Sequence, residues 1–354
     1  MELQEFYPND SEIDDFFNEF ISFDNARDYF KKMGILFATN KRSEIAKYAS
    51  RIVFGYEDFE MMKSITATKQ NYDKVSGFEI KTSKSIQELK EAFNSGEVIK
   101  NQNKLTIRES IVDPHTHSIT VSYSFERKTP GKMNLISAEE RKGEFRIEKG
   151  DDETGKIVVF NHSKNEDYGA VKEIITAIGQ NEETKMDIVP ITLERFDVKG
   201  KIDFIDKVLQ YEYKKWKLEE VVTIRVRKGE ESEEELEEAD KKFLEGINDA
   251  ILHGHNLRTN PFVIKCEKSG YYFPSIILKM AHKTEPYKIS LEVQFKFRPD
   301  MPEINIVDSF MVEESAEKSY VLEKEFRKQT LDNFFHDIIG IYNNVAGAEK
   351  NIVS

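Results

Sequence analysis

The stretch that most restricts the fold lies between Ile289 and Arg298. Ile289, Leu291, Val293, Phe295 and Phe297 alternate with Ser290, Glu292, Gln294, Lys296 and Arg298. A period of two sends one set of side chains to a dry face and the other to water, so this is a strand of a sheet covered on one side. Residues 262–266 and 271–278, parted by Ser269-Gly270, read as two earlier strands. Residues 303–312, beyond the break at Arg298-Pro299-Asp300-Met301-Pro302, read as a fourth. Such an antiparallel meander needs a cover on its dry face. Residues 320–345 supply it, with Leu322, Phe326, Leu331, Phe334, Phe335, Ile338, Ile339 and Tyr342 near helical spacing.

A chain of 354 residues is long enough for more than one domain. The element order predicts an α+β protein in three parts: an N-terminal helical region over residues 1–70, a first α+β domain over 71–180, and a second over 181–354 with the meander and its closing helix. The formal net charge of −13 works against a broad electrostatic grip on nucleic acid or an anionic membrane, and leaves room for a local basic patch. One cysteine, Cys266, excludes an intrachain disulfide framework and cysteine-cluster zinc. Its place inside a strand run predicts a buried, inert thiol, and a reducing cytoplasm fits. No apolar run reaches the ~18–20 residues of a membrane span, and the first residues lack a basic-then-apolar leader pattern. A soluble cytoplasmic protein is therefore expected. Richness in Lys, Glu, Asn and Ile suits an AT-rich microbe, where a mobile-element or phage-defence setting is the expectation by association.

Residues 1–26 carry eight acidic side chains and no Lys or Arg. Ser11 and Asp14 sit near capping-box spacing, and Ile13, Phe16, Phe17, Phe20 and Ile21 share one helical face. This is an acidic helix docked by its aromatic stripe, or an acidic arm for a basic surface. Over residues 25–51 the balance reverses, with Arg27, Lys31, Lys32, Lys41, Arg42, Lys47 and Arg51 against Asp28 and Glu44. The pattern is helix, extended link over 34–40, helix from Lys41, with Asn40 as N-cap. Carried by Met33-Gly34-Ile35 and Lys41-Arg42-Ser43-Glu44-Ile45, it resembles the SAP-type DNA-binding motif. The resemblance implies that Lys41, Arg42 and Lys47 touch phosphates rather than read bases. An ordinary packed helical pair has the same pattern. Lys31, Lys32 and Arg51 extend the same basic surface.

Further on, Phe78-Glu79-Ile80-Lys81 reads as a strand, and Ser85-Ile86-Gln87-Glu88 as a capping box opening a helix. Glu79-x-Lys81 on a strand, with Asp73 ahead of it, resembles the PD-(D/E)xK nuclease superfamily. That likeness implies Mg or Mn held by Asp73 and Glu79, with Lys81 steadying the attacking water or phosphate charge. The chain departs from the pattern in having no Pro-Asp pair, and an exposed strand face looks the same. Strands flank a turn at Asp113-Pro114-His115-Thr116-His117. His115-x-His117 resembles the opening of the amidohydrolase and TatD-like families, which bind metal through both histidines. A second pair, His253-Gly254-His255, offers the remaining ligands of a zinc site. The strands around the first pair look antiparallel, unlike the barrel of those families.

Residues 144–148 and 156–160 read as a hairpin and 168–178 as a helix. The order then repeats: strand 188–196, helix 202–214, strand 221–227, an acidic run over 230–238 entering a helix through Phe243, Ile247, Ala250 and Ile251, then the meander. Lys214, Lys215, Trp216 and Lys217 are the one place where an aromatic sits among lysines, as on nucleic-acid surfaces, or as a core anchor with wet neighbours. No Gly-rich phosphate loop and no Ser or Cys nucleophile motif appears. The sequence therefore predicts a non-catalytic binding protein, nucleic-acid-associated through the basic helical pair and needing no cofactor. The alternatives are a nuclease built on Asp73, Glu79 and Lys81, and a subunit or homo-oligomer held by protein contacts.

Overall fold

The structure of the protein, a computed structural model, describes residues 8–58, 62, 74–94, 105–114, 116–128, 138–150, 155–180, 184–229, 247–313 and 316–353. The chain divides into two compact units, one of residues 1–71, 94–109 and 122–143 and the other of 72–93, 110–121 and 144–354.

The first unit opens with α1 (Asp10–Asp15), which continues as one π-helical turn, Phe16–Phe20. Its cap is Asn9, one box earlier than Ser11 and Asp14 would place it. Glu12 N donates to Asn9 Oδ1 at 3.0 Å and Asn9 N to Glu12 Oε2 at 2.8 Å. α2 (Phe23–Lys32) is capped by Ser22, whose Oγ accepts from Asn25 N. It stops at Gly34, at φ +80°, where a Cβ would be strained. Ile35 N donates to Phe30 O at 2.8 Å and Gly34 N to Lys31 O at 3.0 Å, the two bonds of a Schellman closure. α3 (Arg42–Ala49) lacks the expected Asn40 cap. Instead Thr39 Oγ1 accepts from Lys41 N at 3.1 Å and donates to Glu44 Oε2 at 2.5 Å. Ile13, Phe16, Phe17 and Ile21 of the expected stripe are buried with Phe30, Ile45, Ala46, Ala49 and Phe54. The Phe17 ring lies 5.0 Å from Phe30 and 5.1 Å from Phe16.

In chain order the remaining elements begin with β1 (Lys74–Lys81) and α4 (Ile86–Asn94), then β2 (Leu105–Asp113), β3 (Ser118–Lys128), β4 (Ala138–Lys149) and β5 (Gly155–His162). They continue with α5 (Asn165–Gly179), β6 (Asp187–Val189), α6 (Val198–Gln210), β7 (Trp216–Lys228), β8 (Asp249–His253) and α7 (Pro261–Lys268). Last come β9 (Tyr271–His282), β10 (Tyr287–Phe297), β11 (Asp300–Glu313), β12 (Ala316–Ser319) and α8 (Lys324–Val353). The strands order as β2-β3-β4-β5-β1-β11-β10-β9-β7-β8, with β12 on β11 and β6 on β1. The protein is α+β, as its pattern predicts.

β1 is the hub of the second unit. It runs antiparallel to β5 along its whole length, to β11 over residues 74–76 and to β6 over 79–81. Residues 71–180 and 181–354, read from the pattern as separate domains, thus contribute to one sheet. Neighbouring β1 residues face opposite layers. The Phe78 ring meets Tyr168 of α5 at 5.9 Å, while a Cβ on Gly77 would come within 2.5 Å of Phe335 of α8. The alternation that opened the reading is real: Ile289, Leu291, Val293 and Phe295 are buried against Leu331, Phe334, Phe335, Ile338, Ile339 and Tyr342 of α8.

Several elements differ from expectation. Residues 262–266 lie in helix α7, not in a strand, because Asn260 Oδ1 accepts from Phe262 N and Pro261 needs no N–H at the first helical position. Val263 and Cys266, three apart, then face the core. The meander therefore has three strands, β9 to β11. The strand expected over 188–196 ends with β6, because Pro190 has no N–H to pair and Thr192 caps a 3-10 turn at Leu193–Arg195. Ala250 and Ile251, expected on a helix, lie in β8 opposite Val226 and Arg225. The acidic run 230–238 and Phe243 fall outside the described residues.

Candidate nucleic-acid interface

α2 and α3 carry the basic residues that the sequence singled out. Lys31, Lys32, Lys41, Lys47 and Arg51 are exposed, and Arg42 is half-buried. Arg42 has a structural task, since its Nε donates to the Phe17 carbonyl at 2.8 Å and ties α3 to the end of α1. Lys41 has a loose partner in Glu44 at 3.8 Å, with both side chains largely in water, an arrangement that contributes little. Lys31, Lys32, Lys47 and Arg51 make no ion pair among the described residues. Most second-unit cations on the sheet differ: Lys74 and Lys296 hold Glu303, Lys279 and Lys288 hold Glu317, and Arg225 and Arg227 hold Asp249.

The same helical unit exposes apolar side chains that the sequence reading passed over. Tyr48 is 57% exposed beside Lys47, with its ring 5.9 Å from Phe37, and Leu36, Val53 and Tyr56 are more exposed still. Tyr29, by contrast, is anchored. Its hydroxyl donates to Asp58 Oδ1 at 2.6 Å, and burial together with that carboxylate raises its pKa far above the ordinary tyrosine range. Nothing in the pattern marks Tyr48 as outward and Tyr29 as inward except their opposite phase on α3 and α2.

The nuclease residues are only partly on view. Glu79 and Lys81 lie two apart on β1 and so share a face, half-buried and exposed respectively. Lys81 is in register with Gly155 of β5 and Asp187 of β6. Asp73 lies outside the described residues, as does His115. His117 is exposed at φ +50° in the β2–β3 turn. His253 Nδ1 pairs with Thr223 Oγ1 at 3.1 Å, and His255 Nδ1 with Glu220 Oε2 at 2.9 Å. Each of these two rings has a partner in its own neighbourhood. Among the described residues no group of three or more His, Cys, Asp or Glu is placed to hold a metal ion.

A cluster that sequence reasoning missed lies between β1, β5 and β11. Ser76 Oγ is 2.7 Å from His162 Nε2, and His162 Nδ1 is 3.2 Å from the Lys164 carbonyl. That carbonyl can only accept, so Nδ1 carries the proton and Nε2 accepts from the serine hydroxyl. Glu303, 2% exposed, accepts from Lys74 at 2.7 Å and Lys296 at 2.5 Å, which hold its carboxyl below the usual range against burial. The hydroxyl–imidazole pair has the contact geometry of a nucleophile and base, but both side chains are sealed at 0% and 2% exposure. Its role is to satisfy polar atoms inside the sheet layer.

Cys266 is buried, and burial pushes its thiol up to about 11. Trp216 is 5% exposed, edge-on to His282 at 4.9 Å, with exposed Lys214, Lys215 and Lys217 around it. No helix among the described residues is long and apolar enough to cross a membrane. Comparison with protein-family models gives no match, and comparison with curated proteins gives none either.

Proposed function

We propose that the protein is a non-catalytic nucleic-acid-binding protein that grips the phosphate backbone through α2 and α3. The observation that carries this is the set of exposed Lys31, Lys32, Lys47 and Arg51 on α2, α3 and the turn after it, without carboxylate partners among the described residues, in a chain of net charge −13. Unpaired cations on one small helical unit are free to displace counterions from a polyanion. Tyr48, outward beside Lys47, adds a ring on which an unpaired base can stack. Lys41 joins the contact, and Arg42 supports it from within by holding α3 to α1. Such contacts position a backbone and carry no base reading.

The test is binding to a labelled duplex and a labelled single strand at two salt concentrations. Neutralising about five phosphates gives a loss of a few hundred-fold between roughly 50 and 200 mM salt. Lys47→Glu with Arg51→Glu should flatten that slope and leave the thermal melt in place. Binding that is absent, or insensitive to this pair, sinks the proposal.

The bare side chains Leu36, Val53 and Tyr56, 80%, 87% and 70% exposed, favour a second reading in which this unit docks a protein partner or another copy of the chain. Light scattering of the purified protein decides the homo-oligomer form. A mass equal to the monomer at every concentration rules it out.

A further inference from the structure

Where the loop after α6 meets the outer side of α8, the second unit has an open cavity of about 280 Å³. Its polar wall is Lys214, Lys215, Trp216, Gln329, Asn333 and Asp337. The inventory is biased toward donors. The ammonium groups of Lys214 and Lys215 have no carboxylate within ion-pair reach among the described residues, and the indole N–H of Trp216 and the amides of Gln329 and Asn333 make no hydrogen bond there. None of these donors belongs to the buried, partnerless polar atoms of the interior. Lys214, Lys215, Gln329 and Asn333 stand at an accessible surface with hydrogen-bonding capacity unspent, while Trp216 is 5% exposed.

His336 lines the same wall with its ring paired to Glu148. Its Nδ1 lies 2.6 Å from the Asp332 carbonyl and its Nε2 2.5 Å from Glu148, so both nitrogens are committed. The hydrogen bond that Nε2 donates to Glu148 raises the imidazole above its ordinary value, and the same carboxylate balances the charge it gains. The one acid in the wall is Asp337. Burial raises the Asp337 carboxyl, and it already accepts from the Tyr211 hydroxyl at 3.1 Å. The floor is formed by the rings of Tyr213, Trp216 and Phe334, with Trp216 and Phe334 tilted at 6.0 Å.

We propose that this cavity binds a small oxyanion carried on an aromatic ring system, of mononucleotide size or less. Lys214, Lys215, Asn333 and Gln329 take the anion, and the Trp216 edge takes the ring. The volume lies just below the ~300–1,000 Å³ usual for small-molecule sites, which excludes a larger ligand from full enclosure. Lys214 and Lys215 against the single Asp337 carboxyl leave the wall net positive, and the ring-lined floor selects against bare inorganic anions. The site is separate from the basic helical pair, so its test does not depend on nucleic-acid binding.

Trp216 is the only tryptophan in the chain and reports on the cavity directly. The full-length protein is titrated with adenosine monophosphate, with inorganic phosphate and adenosine as separate arms, while indole emission is followed. A saturable change with the nucleotide, at least tenfold tighter than with either arm, is expected. Lys214→Glu with Lys215→Glu should weaken it at least tenfold, whereas Asp337→Asn should tighten it several-fold. The opposed signs separate charge recognition from general damage to the fold. No saturable change with the nucleotide, affinity no better than for inorganic phosphate, or equal affinity in both variants each overturns the proposal. Lys47→Glu with Arg51→Glu serves as the control and should leave the emission response unchanged.

Discussion

At the scale of single residues, two histidines of the second unit are set to titrate in opposite directions. His162 is buried between the Ser76 hydroxyl and the Lys164 carbonyl, and burial lowers its pKa despite Glu303 and Asp167 nearby, with Lys74 adding to the lowering. His336 is raised by its bond to Glu148. A folded pKa below the unfolded value of ~6.5 means that the unfolded chain binds more protons. The His162 contribution is thus fully present above about 6.5 and lost as pH falls through its lower folded value. His336 runs the other way, with its contribution complete below about 6.5 and lost as pH rises through its higher folded value. Denaturant midpoints measured from pH 8 to 5 should therefore fall less on the acid side in His162→Gln than in the parent. His336→Gln should cost most stability at the acid end and little at the alkaline end. Superimposable acid limbs for His162→Gln and the parent would refute the assignment. Cys266 makes a simpler case. With its thiol buried and pushed up to about 11, a thiol reagent should label the protein only on unfolding, and prompt labelling of the folded protein would contradict that. Cys266 was readable as a buried thiol because the apolar run Phe262-Val263-Ile264 leads into it, although Lys265 and Glu267 flank it. The Ser76–His162 pair was not, because 86 positions separate the partners and each alone is an unremarkable polar residue.

Among the elements, legibility followed periodicity. β10 and α8 were plain because each keeps one period over many residues, and the face it predicts is the face that is buried. Residues 262–266 carry too short an apolar run to fix a period, and there the Asn260–Pro261 start signal decided for helix α7. β8 was missed because Ala250 and Ile251 lie just past an acidic run that resembles a helix entrance, whereas cross-strand pairing with β7 sets their conformation. Gly77 shows a constraint that periodicity cannot express. It lies inside β1, where a Cβ would meet the Val158 carbonyl at 2.4 Å and the Phe335 ring at 2.5 Å. The missing side chain is what lets α8 sit down on the sheet. Gly77→Ala should cost about 3 kcal/mol, the upper part of the usual overpacking range, because one of the two obstacles is backbone and cannot rotate away. Denaturant unfolding measures it, and a loss below about 0.5 kcal/mol would show that α8 does not bear on this position.

For the molecule as a whole, the informative strand is β1, which the sequence showed only as a four-residue run. Segments 74–179 and 187–353 each open with a strand and a helix and end on a helix after antiparallel strands, with α7 interposed in the second, which makes two independent halves the natural reading of the pattern. The pairing says otherwise for the second unit. β1 has β5 on one side and shares its other side between β11 and β6, and its alternate residues face α5 and α8. A chain starting at residue 181 would keep β6 through α8 but lose the strand that covers the flank of β11. Val75 and Val159, which belong to the same buried cluster as Ile304, Phe335 and Ile338, would go with it. Residues 303–305 of β11 would become a bare edge, with Ile304 and Phe335 opened to water. An exposed apolar edge of this kind pairs with other chains before it supports a folded monomer. Residues 181–354 expressed alone should therefore aggregate or melt without a cooperative transition, whereas the two segments co-expressed should associate through β1. A soluble 181–354 fragment with a sharp, reversible melt would show that the β1–β11 pairing adds nothing to the stability of the second half.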